Sequence, residues 1–462
     1  MPIDLINELK WRGLFHQCTD EAALNAHLSS GTRSAYVGYD PTADSLTIGN
    51  LVTIMLLVHF QRAGHEPVVV MGGGTGLIGD PSGKSAERQL NTEEVVRNNV
   101  EKQRSIFGRV FSNAAKAEGR EAKVPPIVNN IDWLGKLGFL EALRDIGKHF
   151  SVNMMIQKDS VRERLNNRDQ GISYTEFSYM ILQSYDYLVL FRDFAKYGLP
   201  RPVTLQMGGS DQWGNIVGGA DLVRRDNERR AFDSVPMLPG GARVAYPEEQ
   251  FGKAFGLTAP LVTKSDGTKF GKTESGAIWL TPERTSPYAY YQFWLNSTDA
   301  DVGRYLRIFT LHPQDKIEAI EAEHAKDPGQ RIAHRELARA ATAILYGEEA
   351  VQQAEAAAKA LFSGDISGLP ESTLNEVFAS APSSEHDKAL LAGDGIPLSD
   401  FLTQTTLAKS KREAREFLTA GAVIVNTRKA GPEDKLTAAD LLHGKVIALR
   451  RGRKNWHVTR WK

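Results

Sequence analysis

The chain has 462 residues, of which 41% are hydrophobic, 24% charged and 8% aromatic, the profile of a globular protein of about three domains. No apolar run approaches the ~20 residues that span a bilayer. The first ten residues lack a signal-peptide core, and the single cysteine, Cys18, excludes an intrachain disulfide and points to a reducing, cytoplasmic compartment.

The 56 basic and 56 acidic residues cancel overall, yet residues 396–462 hold 14 Lys/Arg against 6 Asp/Glu, a net of +8 that leaves −8 on the remainder. A basic terminal module on an acidic body points to nucleic acid held at one end.

In chain order, residues 1–33 read as helical and peripheral. Ser34-Ala-Tyr-Val-Gly-Tyr-Asp40 reads as a strand. A helix is expected from about Thr47 to Ala63, with Leu51, Ile54, Met55 and Val58 on one face and Gly64 as its stop. Pro67-Val-Val-Val-Met71 reads as the next strand and runs into Gly72-Gly-Gly-Thr-Gly-Leu-Ile-Gly-Asp80. Strand, helix, strand and glycine loop open a parallel nucleotide-binding sheet, whose ligands sit beyond the carboxyl ends of the strands. Ser173-Tyr-Thr-Glu176 is a capping box that starts a helix running to about Tyr187. Val203-Thr-Leu-Gln-Met207 is a strand followed by Gly208-Gly-Ser-Asp-Gln-Trp-Gly-Asn215. From Ser286 to about Phe362 alanine-rich amphipathic helices dominate. Residues 363–395, rich in Gly, Ser, Pro and Asp, read as a linker. Beyond Ile396 a short helix-turn-helix pattern leads into strands at 422–426, 445–450 and 456–460. The expected fold class is α/β: a Rossmann-like parallel-sheet domain over 1–285, an α-helical domain over 286–362, the linker, and a small basic α+β domain over 396–462. No group of Cys and His has metal-ligand spacing, so no protein-bound metal is expected.

Chemistry concentrates in a few of these segments. Lys264-Ser-Asp-Gly-Thr-Lys-Phe-Gly-Lys-Thr-Glu-Ser-Gly276 sets three lysines among three glycines and two threonines. Such a loop can wrap a polyphosphate, or be a solvated basic turn. Thr42, Thr47 and Asn50 lie where the first helix starts, an end that offers free N–H groups and a positive dipole to an anion. Gly49 lets a ring or a phosphate lie against the backbone. Tyr179, Gln183 and Asp186 share one helix face, so a phenol, an amide and a carboxylate point one way. Asp186 is expected near the helix C-terminus, where the dipole disfavours its charge and calls for compensation. Asp211 and Gln212 after Gly208-Gly209 add groups of the kind that bind ribose hydroxyls.

Together these residues resemble a known family. Tyr36-Val-Gly-Tyr-Asp-Pro-Thr-Ala-Asp-Ser-Leu46, Gly76-Leu-Ile-Gly-Asp-Pro-Ser-Gly83, Gly171-Ile-Ser-Tyr-Thr-Glu-Phe-Ser-Tyr179, Gly208–Asn215 and Lys269-Phe-Gly-Lys-Thr273 occur in the order found in bacterial tyrosyl-tRNA synthetases, which are class I aminoacyl-tRNA synthetases. The last motif is that family's form of the KMSKS loop. The resemblance implies that Tyr36 and Asp186 hydrogen-bond the hydroxyl of L-tyrosine. Asp80, Tyr179 and Gln183 would cage its ammonium, with Gln206 and Gln212 lining the same pocket. Thr53, Gly209 and Asp211 would contact adenosine and ribose, beside Gly38, Asp40 and Gly49. Thr42, Lys84, Arg88, Lys269, Lys272 and Thr273 would hold the departing pyrophosphate, with Thr47 and Asn50 at the same end. Arg224 and Arg225 would meet the tRNA acceptor stem. Residues 286–362 would form the anticodon-side domain. Residues 396–462, including Lys409, Lys411, Arg412 and Arg415, resemble a small RNA-binding domain.

The implied reaction has two steps. Tyrosine and ATP, with Mg²⁺ on its phosphates, give tyrosyl-adenylate and pyrophosphate, and the tyrosyl group then passes to the 3′ end of tRNA(Tyr). A homodimer is implied too. The chain departs from the family at Thr47-Ile-Gly-Asn50, where His-Ile-Gly-His is usual, and at Val37, where a small polar residue often touches ribose. Segments 190–202 and 227–252 look longer than the usual connections. The alternatives are a catalytically weak relative that binds RNA as a scaffold, and the tryptophan-specific relative, which does not need Tyr36 with Asp186.

Overall fold

The aromatic-rich β2 (Ser34–Tyr39) pairs with the valine run of β3 (Glu66–Met71) in the first sheet, the two joined through α3 (Ile48–Arg62). The computed structural model describes residues 3–80, 90–158, 161–162, 165, 172–234, 252–273, 276–363, 365–379, 381–452 and 455–462. Before β2 lie α1 (Leu5–Arg12), the short strand β1 (Gln17–Cys18) and α2 (Glu21–Ser29). Past β3 come α4 (Glu93–Ala117), β4 (Ile127–Asn129), α5 (Tyr174–Arg192), β5 (Val203–Gly209), α6 (Trp213–Ser234) and β6 (Phe255–Ala259). The strand order is β1-β6-β5-β2-β3-β4, parallel except for β1 against β6. Both β2 and β3 are almost wholly buried, as parallel strands covered by helices must be.

The chain proceeds from β2 toward β3 and β4, then returns to add β5 and β6 on the other side. The reversal falls between β2 and β5, and the crevice beyond their carboxyl ends is where such sheets hold ligands. Across this seam Tyr36 pairs with Gln206. α4 carries the acidic pair Glu93 and Glu94 in its first turn and is capped by Thr92, whose side chain accepts from the Val95 N–H. Its buried stripe runs through Val96, Val100, Phe107, Val110, Phe111 and Ala114.

The chain separates into two units, Met1–Thr285 with Trp294–Leu345, and Ser286–Phe293 with Tyr346–Lys462. The stretch expected as one helical domain, 286–362, is therefore shared between them. The reason is aromatic packing. Phe270 meets Trp294, Tyr305 and Phe309 at centroid distances of 5.9, 5.1 and 5.2 Å, which ties α7 (Asp299–Phe309) to the first unit. α8 (Gln314–Lys326) and α9 (Ile332–Tyr346) follow.

In the second unit, residues 363–395 differ from the linker expected of them. They contain a helix, Glu371–Val377, and a strand, Ser383–His386, that pairs in parallel with Asn455–Trp461. Ile366, Leu369, Leu374 and Phe378 bury against Val446, Ala448 and Val458. Polar composition concealed this, because only every third or fourth residue of the segment is buried. The expected strands at 422–426, 445–450 and 456–460 appear as Val423–Val425, Val446–Arg451 and Asn455–Trp461.

Candidate active site

At the β2–β5 seam two polar side chains are buried side by side. Tyr36 is 1% exposed and Gln206 2%, and neither Tyr36 Oη nor Gln206 Oε1 has a hydrogen-bond partner. Buried polar atoms are almost always paired, so adjacent orphans mark a place where a ligand's polar group completes the structure. Burial, then the charge of Asp186, pushes the Tyr36 phenol well above its ordinary pKa, so it stays protonated and can donate.

Asp186 stands beside it. α5 extends to Arg192, so Asp186 lies inside the helix and not near its C-terminus as expected. Its compensation is a pair of hydrogen bonds: Trp133 Nε1 donates to Oδ1 at 2.7 Å and Asn130 Nδ2 to Oδ2 at 3.0 Å. Burial still outweighs these, and its pKa is pushed up to about 7. The polar chain continues. Asn130 also donates to Thr75 Oγ1 (2.9 Å), Thr75 donates to Asp40 Oδ1 (2.7 Å), and the Tyr179 hydroxyl donates to Asp40 Oδ2 (2.9 Å). Burial, then Asp40, Asp80 and Asp186, all raise the Tyr179 pKa. Three carboxylates thus bear on one phenol, and a chamber of that sign favours a cation. Gln183 Oε1 accepts from Asn215 (3.0 Å), Asn215 also donates to Gln212 Oε1 (3.3 Å), and Gln212 donates to Asp80 (2.7 Å). Asp186 and Tyr179 thus share one hydrogen-bonded chain, and Gln183, Gln212 and Asp80 a second.

Sequence reasoning missed Thr75, Asn130, Trp133 and Asn215, because no local pattern marks a hydrogen-bond partner 32 to 56 residues away. It also missed Lys158, whose ammonium donates to the Gly214 carbonyl at 2.5 Å. Burial lowers its pKa to about 8 against the pull of Asp80. The long 190–202 connection has a visible purpose: Tyr197 packs edge-on against Trp133 at 4.9 Å and steadies the ring that serves Asp186.

The glycine run after β3 is a packing device. A Cβ at Gly72 would lie 2.1 Å from Asp40 Oδ1, and one at Gly73 2.2 Å from Asn129 Oδ1. These residues let the backbone close on the Asp40 turn. Gly38 and Gly49 are different: both are exposed, and a Cβ at Gly38 would meet nothing within 4 Å. They border open space at the sheet edge. Gly209 is held close to Asp211, since a Cβ there would stand 2.5 Å from its carboxylate. Val37 is buried in β2.

Thr47 and Asn50 close on each other. Asn50 Oδ1 accepts from both the Thr47 N–H and the Thr47 hydroxyl, each at 3.0 Å. Thr53 donates to the Asn50 carbonyl at 2.9 Å, and Thr42 is exposed. Against this helix start sits the lysine loop. The Ile48 N–H donates to the Ile278 carbonyl (2.9 Å), and the Ile278 N–H to Gly271 (3.0 Å). Gly271 has φ +77°, and a Cβ there would lie 2.3 Å from Ile48 Cγ2. Ser265 anchors the other arm through its N–H and hydroxyl to Asp301, at 3.0 and 3.1 Å. Lys269 and Lys272 are exposed on this loop, and the Thr273 backbone pairs with Gly276. The loop, the helix N-terminus and the sheet edge thus meet at one place. Lys84 and Arg88 lie outside the described residues, as do 235–251 of the long 227–252 segment.

The arginines expected to meet RNA do not join this pocket. Arg224 pairs with Asp221 and Glu228, and Arg225 with Asp221 at 2.7 Å, along α6. In the second unit Lys409, Lys411, Arg412 and Arg415 are exposed around the start of the helix Lys411–Thr419, which Ser410 caps by accepting from the Glu413 N–H. Lys411 pairs with Asp400 (3.0 Å) and Arg412 with Glu416 (3.0 Å), contacts too exposed to hold either side chain firmly.

Residues 29–363 match the family model described as tRNA synthetases class I (W and Y), and residues 373–459 the model of the tyrosine–tRNA ligase SYY-like C-terminal domain. The chain is 47% identical to the tyrosine–tRNA ligase of Aliivibrio fischeri (strain MJ11), covering 99% of each. It is 45% identical to that of Geobacillus kaustophilus, covering 99% of this chain and 100% of the relative. Among solved structures it is similar to the C-terminally truncated mitochondrial tyrosyl-tRNA synthetase of Aspergillus nidulans, at 27% identity and a TM-score of 0.66, over 78% of this chain and 94% of that one.

Proposed function

Because the chain belongs to the tyrosine–tRNA ligases among the class I tRNA synthetases, we propose a role for each part of the pocket in tyrosine activation and transfer. The tyrosine ring enters the β2–β5 seam with its hydroxyl between Tyr36 and Asp186. Its ammonium lies among Asp80, Tyr179, Gln183 and Gln212, where the surrounding carboxylates offset its charge. The observation that carries this reading is the buried, unpartnered Tyr36 hydroxyl beside an Asp186 carboxylate already fixed by Trp133 and Asn130. Phenylalanine would leave those polar groups unpaired and so bind worse.

ATP lies over Gly38 and Gly49, with its ribose toward Gly209, Asp211 and Thr53. Attack of the tyrosine carboxylate on the α-phosphate needs no protein nucleophile. Alignment and stabilisation of the developing charge carry the rate. The free N–H groups at the start of α3, with Thr42, Thr47 and Asn50, receive the phosphates. Lys269, Lys272 and Thr273, with Lys84 and Arg88, hold the departing pyrophosphate. Because the Thr47 hydroxyl donates to Asn50 Oδ1, it must turn outward to reach a phosphate, whereas that contact leaves the Asn50 Nδ2 donors unused. Mg²⁺ arrives as part of the ATP substrate. Arg224 and Arg225 take the tRNA acceptor stem, and the basic cluster from Lys409 to Arg415 adds an RNA contact. An anticodon-side role for the helices within 286–362, an RNA-binding role for 396–462, homodimerisation and a cytoplasmic location are carried over from the resemblance.

Tyrosine-dependent exchange of pyrophosphate into ATP tests the reading. Robust exchange with tyrosine and little with phenylalanine or tryptophan is expected. Absence of exchange would return the chain to the RNA-binding scaffold.

A further inference from the structure

Away from the tyrosine pocket, three side chains that can ligate a metal meet among the described residues. They are Asp299, His324 and His334, whose ligand atoms all lie within 4.8 Å of one another. They come from three helices. Asp299 opens α7, His324 lies in the last turn of α8, and His334 lies in the first turn of α9. One carboxylate oxygen serves as the common vertex: Asp299 Oδ1 is 3.0 Å from His324 Nε2 and 3.6 Å from His334 Nε2. With metal–ligand bonds of about 2.0–2.1 Å, a tetrahedral ion has ligand–ligand edges of roughly 3.3 Å. The two measured edges bracket that value. The imidazoles meet edge to face at 5.1 Å, so both can direct a nitrogen to one point.

The surroundings fit an ion better than a plain ion pair. His334 is fully buried, and neither of its ring nitrogens makes a well-formed hydrogen bond; His324 Nδ1 makes none either. Buried imidazole nitrogens without partners are uncommon. The Arg331 guanidinium is turned to the carbonyls of Leu295 (2.5 Å) and Ser297 (3.3 Å). The Asp299 side chain is 61% exposed, which leaves an entry path and room for a water as fourth ligand.

We propose that Asp299, His324 and His334 form a structural site for a zinc-type divalent ion, completed by water and fastening the ends of three helices. Two imidazoles and a carboxylate select a borderline first-row ion over Mg²⁺ or Ca²⁺. None of the three residues takes part in the tyrosine pocket, so this site stands or falls separately from the catalytic assignment.

The test uses the full chain without a histidine tag, with Zn²⁺ alone as the probe. One zinc per chain should survive dialysis, and Co²⁺ in its place should show the strong ligand-field bands of a tetrahedral site. Saturating Zn²⁺ should raise the Tm by roughly 2–5 °C. Asp299→Ala and His324→Gln should lose both the bound zinc and the Tm response. Asp299 is exposed, so its variant should fold, with tyrosine-dependent exchange as the check. No retained zinc in the parent chain, or zinc retained in both variants with the parent's affinity, overturns the proposal.

Discussion

Replacing Asp186 by Asn changes one oxygen to an NH₂ at the centre of a buried polar chain. The carboxylate accepts from Trp133 at 2.7 Å and Asn130 at 3.0 Å. Whichever way the new amide turns, its NH₂ faces one of these donors. One buried donor then loses its partner, at about 1–3 kcal/mol. That cost falls on the free protein and appears as a lower Tm. A second cost appears only with substrate, because the tyrosine hydroxyl loses a charged acceptor worth about 1.5–3 kcal/mol. At about 1.4 kcal/mol per decade, kcat/KM for tyrosine should fall roughly 10- to 150-fold in pyrophosphate exchange. Activity with phenylalanine should change much less.

The same residue predicts a pH dependence. Burial holds the Asp186 pKa at about 7, so the ionised fraction rises from about 10% at pH 6 to about 90% at pH 8. The apparent KM for tyrosine should fall nearly tenfold across that interval in the parent chain and stay flat in Asp186→Asn. The stability sign also follows. The folded pKa lies above the ordinary 3.8, so the folded state binds the proton more tightly. This group's contribution to stability is therefore full below about pH 4 and is lost as pH rises to about 7. A variant within threefold of the parent in kcat/KM, with the pH dependence of KM intact, would refute the assignment.

Tyr36→Phe should separate function from stability: removing an orphan buried hydroxyl raises the Tm by roughly 2–4 °C, while kcat/KM for tyrosine falls about 2- to 12-fold. A lowered Tm would show that the hydroxyl is satisfied in the free protein. Gly271→Ala puts a Cβ 2.3 Å from Ile48 Cγ2 at a φ of +77°, a backbone cost of about 1–2 kcal/mol for an L-residue before any clash. Displacing the lysine loop should cut adenylate-forming kcat about tenfold or more and leave the tyrosine KM unchanged; stopped-flow adenylate formation distinguishes the two. Lys411→Glu with Arg412→Glu and Arg415→Glu should leave exchange unchanged, raise the KM for tRNA and flatten its salt dependence. Truncation before Ile396 should likewise spare exchange and depress charging. It also uncovers the residues that pack on Val446, Ala448 and Val458, so a lower Tm should accompany it.

Local pattern was enough for much of the site. The shared face of Tyr179, Gln183 and Asp186 follows from helical spacing, and the first strand and helix appear within a residue or two of their expected limits. The glycine run at 72–76 was visible as a run but not for its use. Its small residues allow the close approach to Asp40 and Asn129, which only the distances reveal. The 363–395 segment misled because its composition is polar while its few apolar residues bury against strands some 70–90 residues further on.

By itself the sequence determined the parallel α/β sheet, the family motifs, the shared helix face of Tyr179, Gln183 and Asp186, and the basic end, because each depends on residues a few positions apart. Only the tertiary structure decided which donors hold Asp186, that Thr47 and Asn50 bind each other, that Gly271 lies on Ile48, and that Asp299 meets His324 and His334. Periodicity and capping act along a few turns of chain, whereas the choice of a buried hydrogen-bond partner or a shared ligand vertex is made between segments that only folding brings together.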